Sequence, residues 1–308
     1  MKIAALQMVS TPSVEHNLAT AHRLIAEAAA SGASLVALPE YFCFMGHSDA
    51  DKLGVAEEAG RGPIQQALAD AALEHQVWII GGTLPIRTGD PAHVRNASCV
   101  YAPDGTLAAR YDKIHLFRYD NGREAYDEGR VLQAGTEPVA FQAGALRVGL
   151  SVCYDLRFPE LYRGLMFTAG QPPCDLLAVP AAFTHTTGRA HWELLLRARA
   201  VENQAYVIAP AQGGTHENGR RTFGHSMVVD PWGKVLAVLP EGEGVVFAEA
   251  DPARIAAVRT QLPALEHRRP FGAADRPPDP ATVLKVFSAA TYSCTRATWI
   301  TRVASTKL

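Results

Sequence analysis

The chain repeats itself once. Ser34–Phe42 reads SLVALPEYF and Asp175–Phe183 reads DLLAVPAAF, each an apolar buried strand punctuated by a proline at its exit. Before them lie two further apolar strands, Lys2–Met8 (KIAALQM) and Arg147–Cys153 (RVGLSVC). Each is separated from its partner strand by a helical stretch, Val14–Ser31 in one case and Pro159–Ala169 in the other. After them, Val77–Leu84 (VWIIGGTL) answers Ala205–Gly213 (AYVIAPAQG), and Asn96–Leu107 answers Gly224–Val235. The last pair carries Pro-Asp-Gly or Pro-Trp-Gly between two strand-like runs, a hairpin turn signal. Pro63–His75 and Gly188–Asn203 place apolar residues at helical spacing among charges. A repeat of about 130–145 residues is too long for a solenoid unit. It implies an α/β domain of two similar halves, with two sheets packed face to face and helices outside. The strand exits of both halves then meet at one edge, where sites in such folds lie.

Bulk properties narrow the function classes. Of 308 residues, 48% are hydrophobic and 19% charged, enough for a large core. The net charge of -2 gives no electrostatic footprint for nucleic acid or an anionic membrane. The opening segment is too short and too polar for a secretory signal or a membrane span. Five scattered cysteines, at 43, 99, 153, 174 and 294, argue against a disulfide framework and for a reducing cytoplasm. No Cys-x-x-Cys or His-x-x-x-His pattern supports a metal site. Gly213-Gly214 lacks the strand and helix context of a phosphate loop, so no cofactor is expected. Met227 and Trp232 read as strand and turn core residues. From Gly272 the composition changes to AADRPPDP, a linker signal. Residues 1–271 are therefore read as one domain and 272–308 as a C-terminal tail.

Three polar residues stand where the repeat puts strand exits. Cys153 ends an apolar strand and opens the polar and aromatic run Tyr154–Glu160. A single cysteine is ordinarily a small buried hydrophobe; this placement suits a nucleophile, which needs a base or a nearby cation. Glu40 occupies the matching exit in the other half, between Leu35–Leu38 and the aromatic run Tyr41–Phe44. A carboxyl group desolvated among aromatics is suited to proton transfer near neutrality. Lys113 sits in YDKIHLF, just beyond the first half's hairpin. A fixed cation there can stabilise an oxyanion. A Cys–His dyad built from His115, His191 or His225 is conceivable, but no local signature supports one.

In these residues the chain resembles the nitrilase superfamily of carbon–nitrogen hydrolases. The motifs Leu38-Pro39-Glu40, Asp112–Leu116 and Val152–Asp155 stand in that family's order, and the resemblance runs from about Met1 to Phe271. It implies a four-layer α-β-β-α sandwich and a Glu–Lys–Cys triad of Glu40, Lys113 and Cys153. It also implies a supporting Glu, which maps onto Glu128, although DEGRVLQAG departs from the commoner Glu-Ser context. The stretch from CYDLRFPELYR through PAAFTHTTGRAHW narrows the likeness to the deaminated glutathione amidase and omega-amidase branch. There an Arg four residues after the nucleophile, here Arg157, receives the substrate carboxylate, and Phe183 and Thr187 match residues lining the acyl pocket. A structural pairing of Arg157 with Asp155 or Glu160 is the alternative. The backbone N–H of Tyr154 is expected to assist Lys113 at the oxyanion. The expected activity is hydrolysis of an α-keto acid amide, with deaminated glutathione ahead of α-ketoglutaramate. N-carbamoyl and aliphatic amidases, or a catalytically silent binding protein, are the more distant readings. The resemblance further implies a homodimer or higher homo-oligomer.

Overall fold

Alternation along the first strand assigns the layers. In β1 (Lys2–Gln7), Ile3 and Ala5 join one buried cluster, and Ala4 and Leu6 join another. The same happens in β2 (Leu35–Ala37), where Leu35 and Ala37 oppose Val36. Side chains two apart share a face of a strand, so this sheet is buried on both sides. One side meets α1 (Val14–Ala30) and α2 (Pro63–His75), whose Leu24, Ile25, Ile64 and Leu68 belong to the second cluster. The other side shares its cluster with strands of the second half. The result is the helix–sheet–sheet–helix order expected from the repeat. A computed structural model describes residues 1–269, and the elements here belong to the unit Met1–Leu265. The boundary read at Gly272 and the tail 272–308 lie outside the described residues.

The first sheet continues through β3 (Trp78–Ile80), β4 (Leu84–Arg87), β5 (Val94–Tyr101) and β6 (Leu107–Asp112). β1, β2 and β3 are parallel neighbours, and β5 then pairs antiparallel with β3, β4 and β6. A short hairpin, β7 (Arg118–Asp120) with β8 (Ala125–Asp127), interrupts the repeat. The second half opens with β9 (Ala140–Ala143), β10 (Leu146–Leu150), α3 (Pro159–Met166) and β11 (Leu176–Ala178). It goes on through α4 (His185–Asn203), β12 (Tyr206–Ala209), β13 (Ser226–Val229) and β14 (Val235–Leu239). β10, β11 and β12 are again parallel neighbours, followed by antiparallel β13 and β14. The likeness reaches single residues: α2 and α4 both end on a left-handed glutamine, Gln76 and Gln204, immediately before β3 and β12. β15 (Gly244–Glu249) then returns to pair with β1, and α5 (Pro252–Gln261) follows it.

Two local expectations change. Helix α4 begins at His185, three residues before the expected Gly188, with Thr184 in extended conformation just ahead of it. Trp232, expected in the core, is 53% exposed at the β13–β14 turn. A tryptophan at a turn tip has a sheet on one side only, and its neighbours in sequence cannot cover it.

Candidate active site

Glu40, Lys113 and Cys153 come from three strand exits and converge. Glu40 follows β2, Lys113 follows β6, and Cys153 begins the short 3-10 turn Cys153–Arg157 after β10. Left-handed backbone marks this edge: Tyr41 has φ 58° and Cys153 φ 48°. Such conformations cost a non-glycine residue of order 1–3 kcal/mol and collect at functional sites. The Cys153 amide is fixed by donating to Pro180 O at 2.9 Å, so the turn that carries Cys153 is tied to the other strand exit of the same sheet. The Glu40 loop is held against Gly82, whose added Cβ would lie 2.1 Å from Pro39 O.

Donors, not aromatic rings, surround the Glu40 carboxylate. Oε1 accepts from Asn96 Nδ2 and Lys113 Nζ, both at 2.9 Å, and Oε2 accepts from Ala182 N at 2.9 Å. Ala182 follows Pro180, the counterpart of Pro39, so this last bond joins the two halves across their equivalent exits. Lys113 is 1% exposed and also donates to Glu128 Oε1 and Oε2, at 3.0 and 2.8 Å. Burial by itself lowers an ammonium pKa. Here Glu128 and Glu40 outweigh it and hold Lys113 above its ordinary value. Glu128 also accepts from Tyr41 OH and Phe117 N, at 2.8 and 2.7 Å. Burial would raise its pKa, but Lys113 and these donors bring it below the usual range. Glu128 and Glu40 together thus hold the Lys113 ammonium in place.

Cys153 is 8% exposed. Burial pushes its thiol well above the ordinary range, and Glu40 adds to the rise by charge and hydrogen bond, against an opposing pull from Lys113. The Cys153 thiol and the Glu40 carboxyl group thus lie together in the site. No histidine shares in it. His115 Nδ1 contacts Asp155 Oδ1 at 2.7 Å, His225 Nδ1 meets Phe223 O at 2.9 Å, and His191 Nδ1 lies 3.2 Å from Arg157 Nη1.

The cavity over Cys153 is walled by Tyr154, Arg157, Phe183 and Thr187, with Phe117 and Arg220 beside them. Arg157, Phe183 and Thr187, the residues matched to substrate binding in the sequence, all line it. The Arg157 guanidinium lies over the Phe183 ring at 5.2 Å and the Tyr154 ring at 5.8 Å. Among the described residues no carboxylate is within ion-pair distance of it. Of the alternative partners Asp155 and Glu160, neither pairs with it, and Asp155 is used by Tyr111 OH, Val152 N and His115. Phe183 packs on Trp192, ring centroids 4.9 Å apart, and the Thr187 hydroxyl meets that of Thr184 at 2.7 Å.

Sequence reasoning missed Asn96, Asp155, Tyr41 and Arg220. Asn96 and Tyr41 act only through contacts far apart in sequence. Asp155 had a local signal, an acid two residues after Cys153, but the sequence shows nothing of its four donors. Among the described residues, His22, Glu74 and His75 bring possible metal-ligand atoms within 4.8 Å of one another, and none of them lines the catalytic cavity. No helix among the described residues is long and apolar enough to cross a membrane.

Comparison with known proteins gives the family. The family model for carbon-nitrogen hydrolases matches residues 2–260. A deaminated glutathione amidase from Synechocystis is 42% identical over 86% of this chain and 97% of its own length. The omega-amidase NIT2 of Homo sapiens is 38% identical over 87% of this chain and 95% of its own. The crystal structure of the C. elegans NitFhit protein superposes with a TM-score of 0.80 at 39% identity, covering 87% of this chain and 65% of that one. The chain belongs to the carbon–nitrogen hydrolase family, within the nitrilase superfamily, and is a hydrolase of that kind.

Proposed function

We propose that the protein is a cysteine-dependent amidase of α-keto acid amides, and that it cleaves deaminated glutathione to α-ketoglutarate and cysteinylglycine. The observation that carries this reading is Arg157, a guanidinium without a carboxylate partner in the cavity over Cys153. A planar guanidinium receives a carboxylate in two parallel hydrogen bonds. The relatives named for deaminated glutathione and for omega-amidase activity support the same substrate class. The cavity has only about 10 Å³ of free volume, close to that of one water. An acyl chain therefore enters by displacing half-buried walls such as Tyr154 and Arg157.

In the reaction Glu40 takes the thiol proton and Cys153 Sγ bonds to the amide carbon. Lys113 and the backbone N–H of Tyr154 stabilise the oxyanion. Protonation of Glu40 weakens its hold on Lys113 and frees the ammonium to turn toward that oxygen. Collapse breaks the C–N bond, Glu40 returns its proton to the leaving amine, and a thioester remains on Cys153. Glu40 next takes a proton from water, which attacks the thioester. The C–S bond then breaks, the acid leaves and the proton returns to the thiol. Parallel kinetics with deaminated glutathione and α-ketoglutaramate test the substrate, and a trapped acyl adduct on Cys153 tests the covalent step. A much larger kcat/KM for α-ketoglutaramate assigns the chain to omega-amidase activity instead, with ammonia as leaving group. Substantial turnover by folded Cys153→Ala sinks the mechanism.

The protein is further proposed to be a cytoplasmic homodimer or higher homo-oligomer. Cys43, Cys99, Cys153 and Cys174 are all free and buried, as suits a reducing compartment. Leu194 and Val201 of α4 and Trp232, Leu236 and Val238 around the β13–β14 turn are large apolar side chains left exposed. Light scattering on the purified chain measures its mass in solution.

A further inference from the structure

A second cavity of about 510 Å³ lies beside the catalytic one, a size suited to a small-molecule site. Arg220 lines both. The remaining wall comes from the tip of the β7–β8 hairpin, which has no counterpart in the repeat, and from the segments Met45–Lys52 and Asn218–Arg221.

The charged groups of this cavity are not evenly satisfied. Lys52 is paired with Asp49 and lies over the Tyr41 ring at 4.6 Å. Arg221 is paired with Glu241 at 2.8 Å, and Glu124 accepts from Thr186 Oγ1 at 3.1 Å. Two cations remain. Arg220 donates from Nη2 to Ala182 O at 2.9 Å and lies over the Tyr126 ring at 5.2 Å, but its buried Nε has no hydrogen-bond partner. Arg123 stands exposed at the hairpin tip. Among the described residues no carboxylate is within ion-pair distance of either guanidinium. The buried Arg220 Nε lacks an acceptor, and an incoming carboxylate would supply one.

The chemistry proposed for Cys153 needs such an anion site only for one kind of leaving group. Ammonia occupies almost no space and carries no carboxylate. A dipeptide such as cysteinylglycine ends in a carboxylate two residues from the scissile nitrogen, a reach of roughly 7 Å when extended.

We propose that this cavity is the leaving-group subsite, and that Arg220 and Arg123 together receive the terminal carboxylate of a dipeptide leaving group. This rests on the α-keto amide reading of the catalytic cavity and extends it. The preferred substrate carries a carboxylate at each end, one for Arg157 on the acyl side and one for Arg220 and Arg123 on the amine side. The hairpin tip that supplies Arg123 is then a specificity element.

The test uses the full chain and three substrates: deaminated glutathione, its analogue with the glycine carboxylate capped as a primary amide, and α-ketoglutaramate. Capping is expected to lower wild-type kcat/KM about tenfold, chiefly through KM, as for a contact made equally in ground and transition states. In Arg123→Ala the preference for the free acid over the capped analogue should shrink to within about threefold, and in Arg123→Glu it should vanish or reverse. The ratio of kcat/KM for deaminated glutathione to that for α-ketoglutaramate should fall in both variants. Arg220 is left intact, because it also holds the Ala182 carbonyl. If wild-type enzyme hydrolyses acid and capped analogue equally well, or if both Arg123 variants keep the full preference, the subsite is wrong and the α-keto amide reading stands. If the wild-type enzyme turns over none of the three, that reading itself has failed.

Discussion

At the scale of single residues, burial does most to raise the Cys153 thiol pKa, and the opposed charges of Glu40 and Lys113 act on top of it. Glu40 raises the thiol pKa and Lys113 lowers it. Replacing Glu40 with Gln removes the raising charge and leaves Lys113 in place. The prediction is that Glu40→Gln loses turnover while its Cys153 thiol ionises at lower pH than in the wild type. The pH dependence of Cys153 alkylation, with Cys153→Ala as the blank for the other thiols, measures this. An unchanged or higher ionisation midpoint would mean that Glu40 does not face the thiol. Arg157 offers a second residue-scale prediction. Arg157→Lys keeps the charge but loses the two-pronged geometry, and Arg157→Ala loses both. Losses in kcat/KM on α-keto acid amides should therefore be larger for Ala than for Lys. A neutral simple amide should be affected much less by either. Equal losses on both substrate types would return Arg157 to a structural role.

Among elements, the turn that carries Cys153 is held by Asp155. Asp155 is fully buried and accepts from Tyr111 OH, Val152 N, His115 N and His115 Nδ1. Tyr111 and His115 flank Lys113, so one carboxylate fixes the turn that carries Cys153 to the strand exit that carries Lys113. In Asp155→Asn one oxygen becomes an NH2 facing donors. The expected result is a stability loss of about 1–3 kcal/mol, seen as a lower urea midpoint, with a fall in kcat that exceeds any change in KM. Wild-type kcat in this variant would show that the turn holds without Asp155. Such a role is not legible from sequence, because three of the four donors lie in or beside another strand exit. What was legible has a physical reason too. SLVALPEYF and DLLAVPAAF show strand ends, because proline cannot continue a ladder, and Glu40 just beyond the first stands out against apolar surroundings. The β7–β8 hairpin, β9 and β15 carried no such contrast. Trp232, read as a turn core residue, is exposed because a turn tip does not provide burial.

For the whole molecule, the same buried charges that run the site also tie the halves together. Glu128, Lys113 and Glu40 form a continuous chain, and Glu40 passes it on to Ala182 in the second sheet's strand exit. Glu128 has a folded pKa below its ordinary value of 4.5, owing to Lys113 and the Phe117 and Tyr41 donors that outweigh burial. A depressed carboxyl pKa stabilises the fold above the unfolded value, and that contribution is lost as pH falls through the folded value. Lys113 has a folded pKa above 10.5, so its contribution is present below that value and declines only as pH rises through the folded one. The network therefore supports the fold from the unfolded carboxyl range up to the alkaline limit, and acid dissolves it through Glu128. Glu128→Gln removes one partner of a buried pair, a change that costs about 3–5 kcal/mol at neutral pH. The variant should accordingly unfold at lower urea concentration than the wild type at pH 7. The gap between the two should narrow once the pH drops below 4.5, because the wild type then loses what the variant never had. Urea titrations at neutral and acid pH measure both gaps. A gap that stays constant across that range would mean that Glu128 acts through shape and hydrogen bonding alone, and that its charge does not hold Lys113.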